Sequence, residues 1–180
     1  MPEVLSQIKP YLSPTTLVVD TCSVKVYPVQ VMLQHFGCDR PLLATHPMFG
    51  PDSAKQGLKN LPIVVHPLGR DHPLQDDWLR RFQEMGLRVL LMSPEEHDEV
   101  AAFTQGLTHL VGRVLKEMNL EQHPMATKGF SNLFEIMNQT CNDPWQLFLD
   151  LQRYNRFTPL MREKFLQSLR TVLNAIEEEA

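Results

Sequence analysis

Residues 45–57 read Thr45-His46-Pro47-Met48-Phe49-Gly50-Pro51-Asp52-Ser53-Ala54-Lys55-Gln56-Gly57. An apolar run, Pro41-Leu42-Leu43-Ala44, leads into them and is short enough for a buried strand. Two prolines and two glycines then break regular structure. His46 therefore stands where a strand ends and a loop begins. In open α/β sheets, ligands bind beyond the carboxyl ends of strands. An imidazole placed there is either a working group or a side chain that only hydrogen-bonds its own loop.

Moving toward the N-terminus, Thr15-Thr16-Leu17-Val18-Val19-Asp20 is β-branched and apolar and ends in an acid, the pattern of a buried strand. Thr21-Cys22-Ser23-Val24-Lys25 is a polar turn leading to an amphipathic segment up to Phe36, which Gly37 and Asp39 end. Val4 to Leu12 has helical spacing interrupted by Pro10. Toward the C-terminus, Leu61-Pro62-Ile63-Val64-Val65 is a further strand, with Pro62 at its start or on an edge. Asp76 to Gly86 is a helix with Trp78, Leu79, Phe82 and Met85 on one face, and Leu87 to Met92 is a last strand. Strands alternating with helices indicate a mainly parallel sheet. Neighbouring parallel strands end side by side, which places Ser23 and His46 where they can meet one ligand. Ser23 is equally suited to capping the helix that follows it.

From Ser93 onward the pattern is helical. Ser93-Pro94-Glu95-Glu96 is a capping box with proline in the first turn. The helix it opens is expected to reach about Asn119, with Gln105 and His109 on one side. His109, amid Leu107, Leu110 and Val111, reads either as a core histidine or as a ligand-binding one. Arg113 reads as solvated charge. Gly106 and Gly112 weaken a helix by roughly 1 kcal/mol each relative to alanine, which implies close approach of a backbone or a ligand. Further helices are expected from Gly129 to Thr140, from Asp143-Pro144 with the aspartate as N-cap, and from Thr158-Pro159 to about Ile176, followed by a frayed acidic tail, Glu177-Glu178-Glu179. The expected organisation is α/β followed by all-α: residues 1–93 a partial Rossmann-like sheet, residues 94–180 a helical substrate-binding and dimerisation domain.

The bulk properties narrow the function. The 180 residues are 43% hydrophobic and 21% charged, in the globular range. A net charge of −4 with no basic block argues against nucleic acid. No apolar run approaches the roughly 20 residues that span a bilayer, and the N-terminus has no signal-peptide pattern. Three scattered cysteines suit a reducing cytoplasm, and no Cys/His cluster has zinc-ligand spacing. No two glycines lie two apart, so neither G-x-G-x-x-G nor a Walker A motif occurs.

Several separated motifs resemble the prephenate and arogenate dehydrogenases, in the same order and over nearly the whole chain. They are Val18-Val19-Asp20 through Lys25, Thr45-His46-Pro47-Met48-Phe49-Gly50-Pro51, Glu95-Glu96-His97-Asp98, Gln105 to His109, Thr127-Lys128-Gly129-Phe130, and Asp143 to Tyr154. The wording at 46–51 and 127–130 is most similar to the plant-type arogenate branch. The resemblance implies an NADP-dependent oxidative decarboxylation in tyrosine biosynthesis. It gives His46 the role of general base toward the substrate's C4 hydroxyl, with Ser23 as its catalytic companion. Gln105, His109, Thr127, Lys128 and Asp143 become substrate-binding residues, and Thr21 and Ser23 face the nicotinamide side of the cofactor. An acid at Asp143 goes with arogenate, whose ammonium it attracts where prephenate carries a keto group. Asn138 stands where microbial prephenate enzymes often place an arginine.

The family also implies a complete nucleotide-binding fold, of which this chain is expected to hold only the later part. The edge of the Thr15–Asp20 strand is then expected to be covered by another chain, a swapped segment or the N-terminal residues. The expected partners are arogenate or prephenate and a second copy of the chain. The competing expectation is a non-catalytic ligand-binding or dimerisation module derived from the same family.

Overall fold

The computed structural model describes residues 1–178. The chain forms two compact units, Met1–Asp98 and Glu99–Ala180.

The first unit runs α1 (Pro2–Ile8), β1 (Val18–Asp20), α2 (Val26–Phe36), β2 (Pro41–Pro47), α3 (Pro51–Ala54), β3 (Pro62–Gly69), α4 (Pro73–Glu84), β4 (Arg88–Leu91) and α5 (Pro94–Ala101), whose last residues belong to the second unit. A short 3-10 turn, Lys9–Tyr11, follows α1 where Pro10 interrupts the helical pattern. The strands lie in the order β1-β2-β3-β4. β1 pairs parallel with β2, Asp20 opposite Ala44, and β3 pairs parallel with β4. Helices α2 and α4 provide those two crossovers.

β2 and β3 run antiparallel, with His46 opposite Val64, so the sheet is mixed where a mainly parallel one was expected. The reason lies in residues 48–61. A parallel connection is usually folded as a helix that returns along the length of the sheet. This segment holds only the single turn α3, so the chain doubles back as a wide hairpin.

β2 is buried over Pro41–His46, as its apolar run requires. Leu42 and Ala44 pack with Leu5, Val18, Val31 and Met32 on one side of the sheet. Leu43 packs with Ile63, Val65 and Leu87 in a second cluster that includes Leu79 and Phe82 of α4. His46 shares the parity of Leu42 and Ala44 and so belongs to the face that α2 covers. No described strand pairs with the outer edge of β1. Leu5 of α1 packs in the cluster that buries Val18, while Val19 remains 39% exposed. Gly69 closes β3 with φ +72°, and a Cβ there would stand 2.2 Å from the Arg40 carbonyl oxygen.

From Ser93 onward the chain is helical. The capping box forms as expected: the Ser93 amide donates to Glu96 at 2.9 Å and the Glu96 amide to Ser93 Oγ at 3.2 Å. The long helix it opens is not uniform. It passes through a π-helical turn, Ala102–Gly106, into α6 (Leu107–Glu117). The Leu107 amide donates to the Ala102 carbonyl, five residues back, and the Gly106 carbonyl accepts Gln152 Nε2 at 2.8 Å. Then come α7 (Lys128–Asn142), α8 (Trp145–Tyr154) and α9 (Thr158–Glu178). The expected frayed tail is helical through Glu178, and Glu179 lies outside the described residues. Gly112 meets the close approach anticipated for it: a Cβ there would stand 2.0 Å from Thr140 Oγ1 on α7.

Candidate functional site

In the first unit, β2 carries His46 to the end of the sheet, where it is 3% exposed. Its Nδ1 lies 2.8 Å from Nε2 of His97, in the first turns of α5. Nδ1 of His97 lies 2.8 Å from Oδ1 of Asp98. Asp98 is fully buried and also accepts the backbone N–H groups of Lys25 at 2.7 Å and Val26 at 2.9 Å. Its carboxylate thus caps the N-terminus of α2 from more than seventy residues away in sequence. Nε2 of His46 has no partner among the described residues.

A second buried network adjoins this one. Lys25, 1% exposed, donates through Nζ to Asp20 Oδ2 at 2.5 Å and to the Thr45 carbonyl at 2.6 Å. Asp20 also accepts the Cys22 amide at 2.9 Å, and Thr45 Oγ1 donates to the Asp20 carbonyl at 2.6 Å. The turn after β1 and the end of β2 are tied together by an ion pair with little water around it. Burial, then His97, then Lys25 push the His46 pKa down to about 3, so its imidazole is neutral across the physiological range. Burial and Asp20 push the Cys22 thiol up to about 11, which keeps it protonated and a poor nucleophile.

Ser23 lies in the turn after β1 and Thr21, exposed, two residues before it. The parallel pairing of β1 with β2 brings this turn beside the end of β2, as the strand argument required. The capping alternative for Ser23 is not what forms: the N-cap position of α2 is Lys25, and the cap is supplied by Asp98.

The second unit holds a separate group. His109, 8% exposed on α6, has Nε2 3.8 Å from Oδ2 of Asp143. Burial lowers its pKa, Asp143 opposes that shift, and Arg113 adds to it. Arg113 is not the solvated charge expected of it. Its Nη2 donates to the carbonyls of Thr140 at 3.1 Å and Asp143 at 2.6 Å, and its guanidinium lies over Trp145. Gln105 Oε1, His109 Nδ1 and Arg113 Nε are buried without a hydrogen-bond partner. These atoms, on three neighbouring helical turns, need partners that the described residues do not supply, such as a water or a polar ligand.

Asp143 does not cap α8 through its side chain. Pro144 occupies the N-cap position, and the Asp143 carboxylate is left for His109. Thr127 and Lys128 are not gathered into this group. Thr127 caps α7, its Oγ1 accepting the Phe130 amide at 3.2 Å, and Lys128 opens that helix. Asp143 follows the other end, so fifteen helical residues at about 1.5 Å each separate the two places.

Sequence reasoning missed the His97–Asp98 pair as a site. The motif Glu95-Glu96-His97-Asp98 was visible, but its partners lie on β2 and α2.

Comparison with known proteins follows the same lines. Residues 1–91 match the family described as prephenate dehydrogenase, nucleotide-binding domain, and residues 114–180 match TYRAAT1-like, C-terminal domain. Over 170 residues the chain is 38% identical to arogenate dehydrogenase 1, chloroplastic, of Arabidopsis thaliana, covering 90% of this chain and 27% of that protein. The crystal structure of Synechocystis arogenate dehydrogenase superposes with a TM-score of 0.70 at 23% identity, over 98% of this chain and 67% of that one. The prephenate dehydrogenase of Aquifex aeolicus, solved with hydroxyphenyl propionate and NAD+, superposes with a TM-score of 0.75 at 21% identity, over 99% and 66%. The chain belongs to the prephenate dehydrogenase family, and it spans about a quarter to two fifths of the length of the plant relatives it matches.

Proposed function

We propose that this chain serves an oxidative decarboxylation of arogenate or prephenate, with His46 as the acceptor of the substrate hydroxyl proton. The observation that carries this reading is a buried, neutral imidazole at the end of β2. One of its nitrogens is committed to His97, and the other has no partner among the described residues. An alcohol gives up its O–H proton as its C–H hydride leaves, and a neutral imidazole within hydrogen-bond reach is suited to take it. Thr21 and Ser23, on the adjacent turn, are assigned to the same reacting end.

Hydride acceptance belongs to a nicotinamide dinucleotide, NADP by family likeness. The described residues do not fit its phosphate part. No G-x-G-x-x-G occurs in these residues to cradle a pyrophosphate, and the first amides of α2 are taken by Asp98.

Gln105, His109 and Asp143 are assigned to substrate recognition, with Asp143 favouring an ammonium-bearing side chain. Thr127 and Lys128 are assigned a polar contact of their own at the other end of α7. The exposed apolar stripe of α9, Leu166, Leu169, Val172, Leu173 and Ile176, is assigned to a homodimer. A reducing compartment such as the cytoplasm is assigned to the chain, in keeping with its three scattered cysteines.

The lack of a G-x-G-x-x-G in these residues favours a second reading, a ligand-binding module without turnover of its own. NADPH formation with arogenate or prephenate, lost in His46→Asn with substrate affinity kept, supports the enzyme. Binding of arogenate without NADPH formation supports the module. Neither binding nor turnover defeats both.

A further inference from the structure

We infer that His97 and Asp98 are positioning residues for His46, fixing it as the Nδ1–H tautomer so that Nε2 is its basic nitrogen. The inference rests on the reading of His46 as proton acceptor, and it can be tested apart from it.

Asp98 sets the order of protons along the chain of three side chains. Its carboxylate can only accept hydrogen bonds, and it already takes the Lys25 and Val26 amides. The contact of 2.8 Å with His97 Nδ1 therefore requires a proton on that nitrogen. In the neutral ring, His97 Nε2 is then a lone pair. His46 Nδ1, also at 2.8 Å, must donate to it, since two lone pairs facing each other at that distance repel. The neutral His46 ring has one proton, now on Nδ1, so Nε2 is bare. All three side chains are buried, so water cannot scramble the order: His46 is 3%, His97 2% and Asp98 0% exposed.

The same chain gives an incoming proton somewhere to go. His46 lies near the Lys25 ammonium and holds positive charge poorly. When Nε2 takes a proton from a hydroxyl, the Nδ1 proton can pass to His97 Nε2. At His46 one N–H bond forms and one breaks; at His97 one forms. The net change is one proton gained, with the positive charge on His97 against the Asp98 carboxylate.

The test is nitrogen-15 NMR of the ring-labelled 180-residue chain near neutral pH, without substrate, the His46 signals being assigned by loss in His46→Gln. The expected result is a protonated Nδ1 and a bare Nε2 on His46. In His97→Phe, which removes the acceptor, His46 is expected to shift toward the Nε2–H form that free imidazole side chains favour. In His97→Gln, whose amide oxygen can accept, the Nδ1–H form is expected to persist. A bare Nδ1 on wild-type His46 overturns the inference, as does a tautomer unchanged in a folded His97→Phe chain. Should His97→Phe fail to fold, the wild-type tautomer and the His97→Gln comparison still decide it. Turnover plays no part in this readout, so failure of the dehydrogenase assay and failure here are separate results.

Discussion

His46 Nδ1 and His97 Nε2 stand 2.8 Å apart, a hydrogen bond between side chains fifty-one residues apart in sequence. It joins the end of a strand to the start of a helix and leaves both rings almost without water. Burying an imidazole is tolerable while it is neutral and costly once it is charged.

That cost makes stability depend on pH. In the unfolded chain His46 titrates near 6.5, and in the folded one at about 3. Between those values the unfolded state binds the extra proton, so the stabilisation is complete above about pH 7 and is lost as pH falls toward 3. From pH 7 to pH 5 the loss from His46 alone is roughly 2 kcal/mol, and the lowered His109 acts in the same direction. Urea midpoints across this range should fall for the wild type and fall less for His46→Gln. Equal slopes would remove His46 as the cause.

The Lys25–Asp20 pair is buried on both sides, at 1% and 4% side-chain exposure. Removing one partner strands the other charge. Lys25→Met or Asp20→Asn alone should each cost roughly 3–5 kcal/mol in urea unfolding. The double variant should be more stable than either single one. Additive losses would show that the two charges do not compensate each other.

Gly112→Ala would force a methyl group to 2.0 Å from Thr140 Oγ1 and 3.1 Å from its Cβ. We expect a loss of about 3 kcal/mol, the upper range for overpacking. Adding Thr140→Ala should recover part of it by removing the hydroxyl, although the hydroxyl's bonds to the Ile136 and Met137 carbonyls go too. No recovery would place the strain elsewhere than between α6 and α7.

On α9, Leu166, Leu169, Val172, Leu173 and Ile176 recur at helical spacing and are each at least 45% exposed. Sedimentation at micromolar concentration should show a dimer. Leu169→Glu with Val172→Glu should yield a monomer, with little change in helix content by circular dichroism. A wild-type monomer would leave the stripe without this role.

What the sequence determined by itself was local. The capping box at Ser93–Glu96, the proline openings at Pro94 and Thr158-Pro159, the buried run of β2 and the stop at Gly37 each depend on a few adjacent residues. Short-range sterics and hydrogen bonds settle such features. The two-part plan, a sheet unit followed by helices, follows from the order of those signals.

The tertiary structure decided what depends on residues far apart. β3 turned antiparallel because one helical turn is too short to carry a crossover. Asp98 caps α2 in place of Ser23, since a carboxylate brought in from α5 satisfies two amides at once. Arg113 became an anchor for the end of α7, and Asp143 was released from capping to face His109. The His46–His97–Asp98 chain exists only because β2, α5 and the start of α2 are packed together. Hydrogen bonds are directional over about 3 Å, and no spacing along a sequence can specify which distant groups will come within that reach.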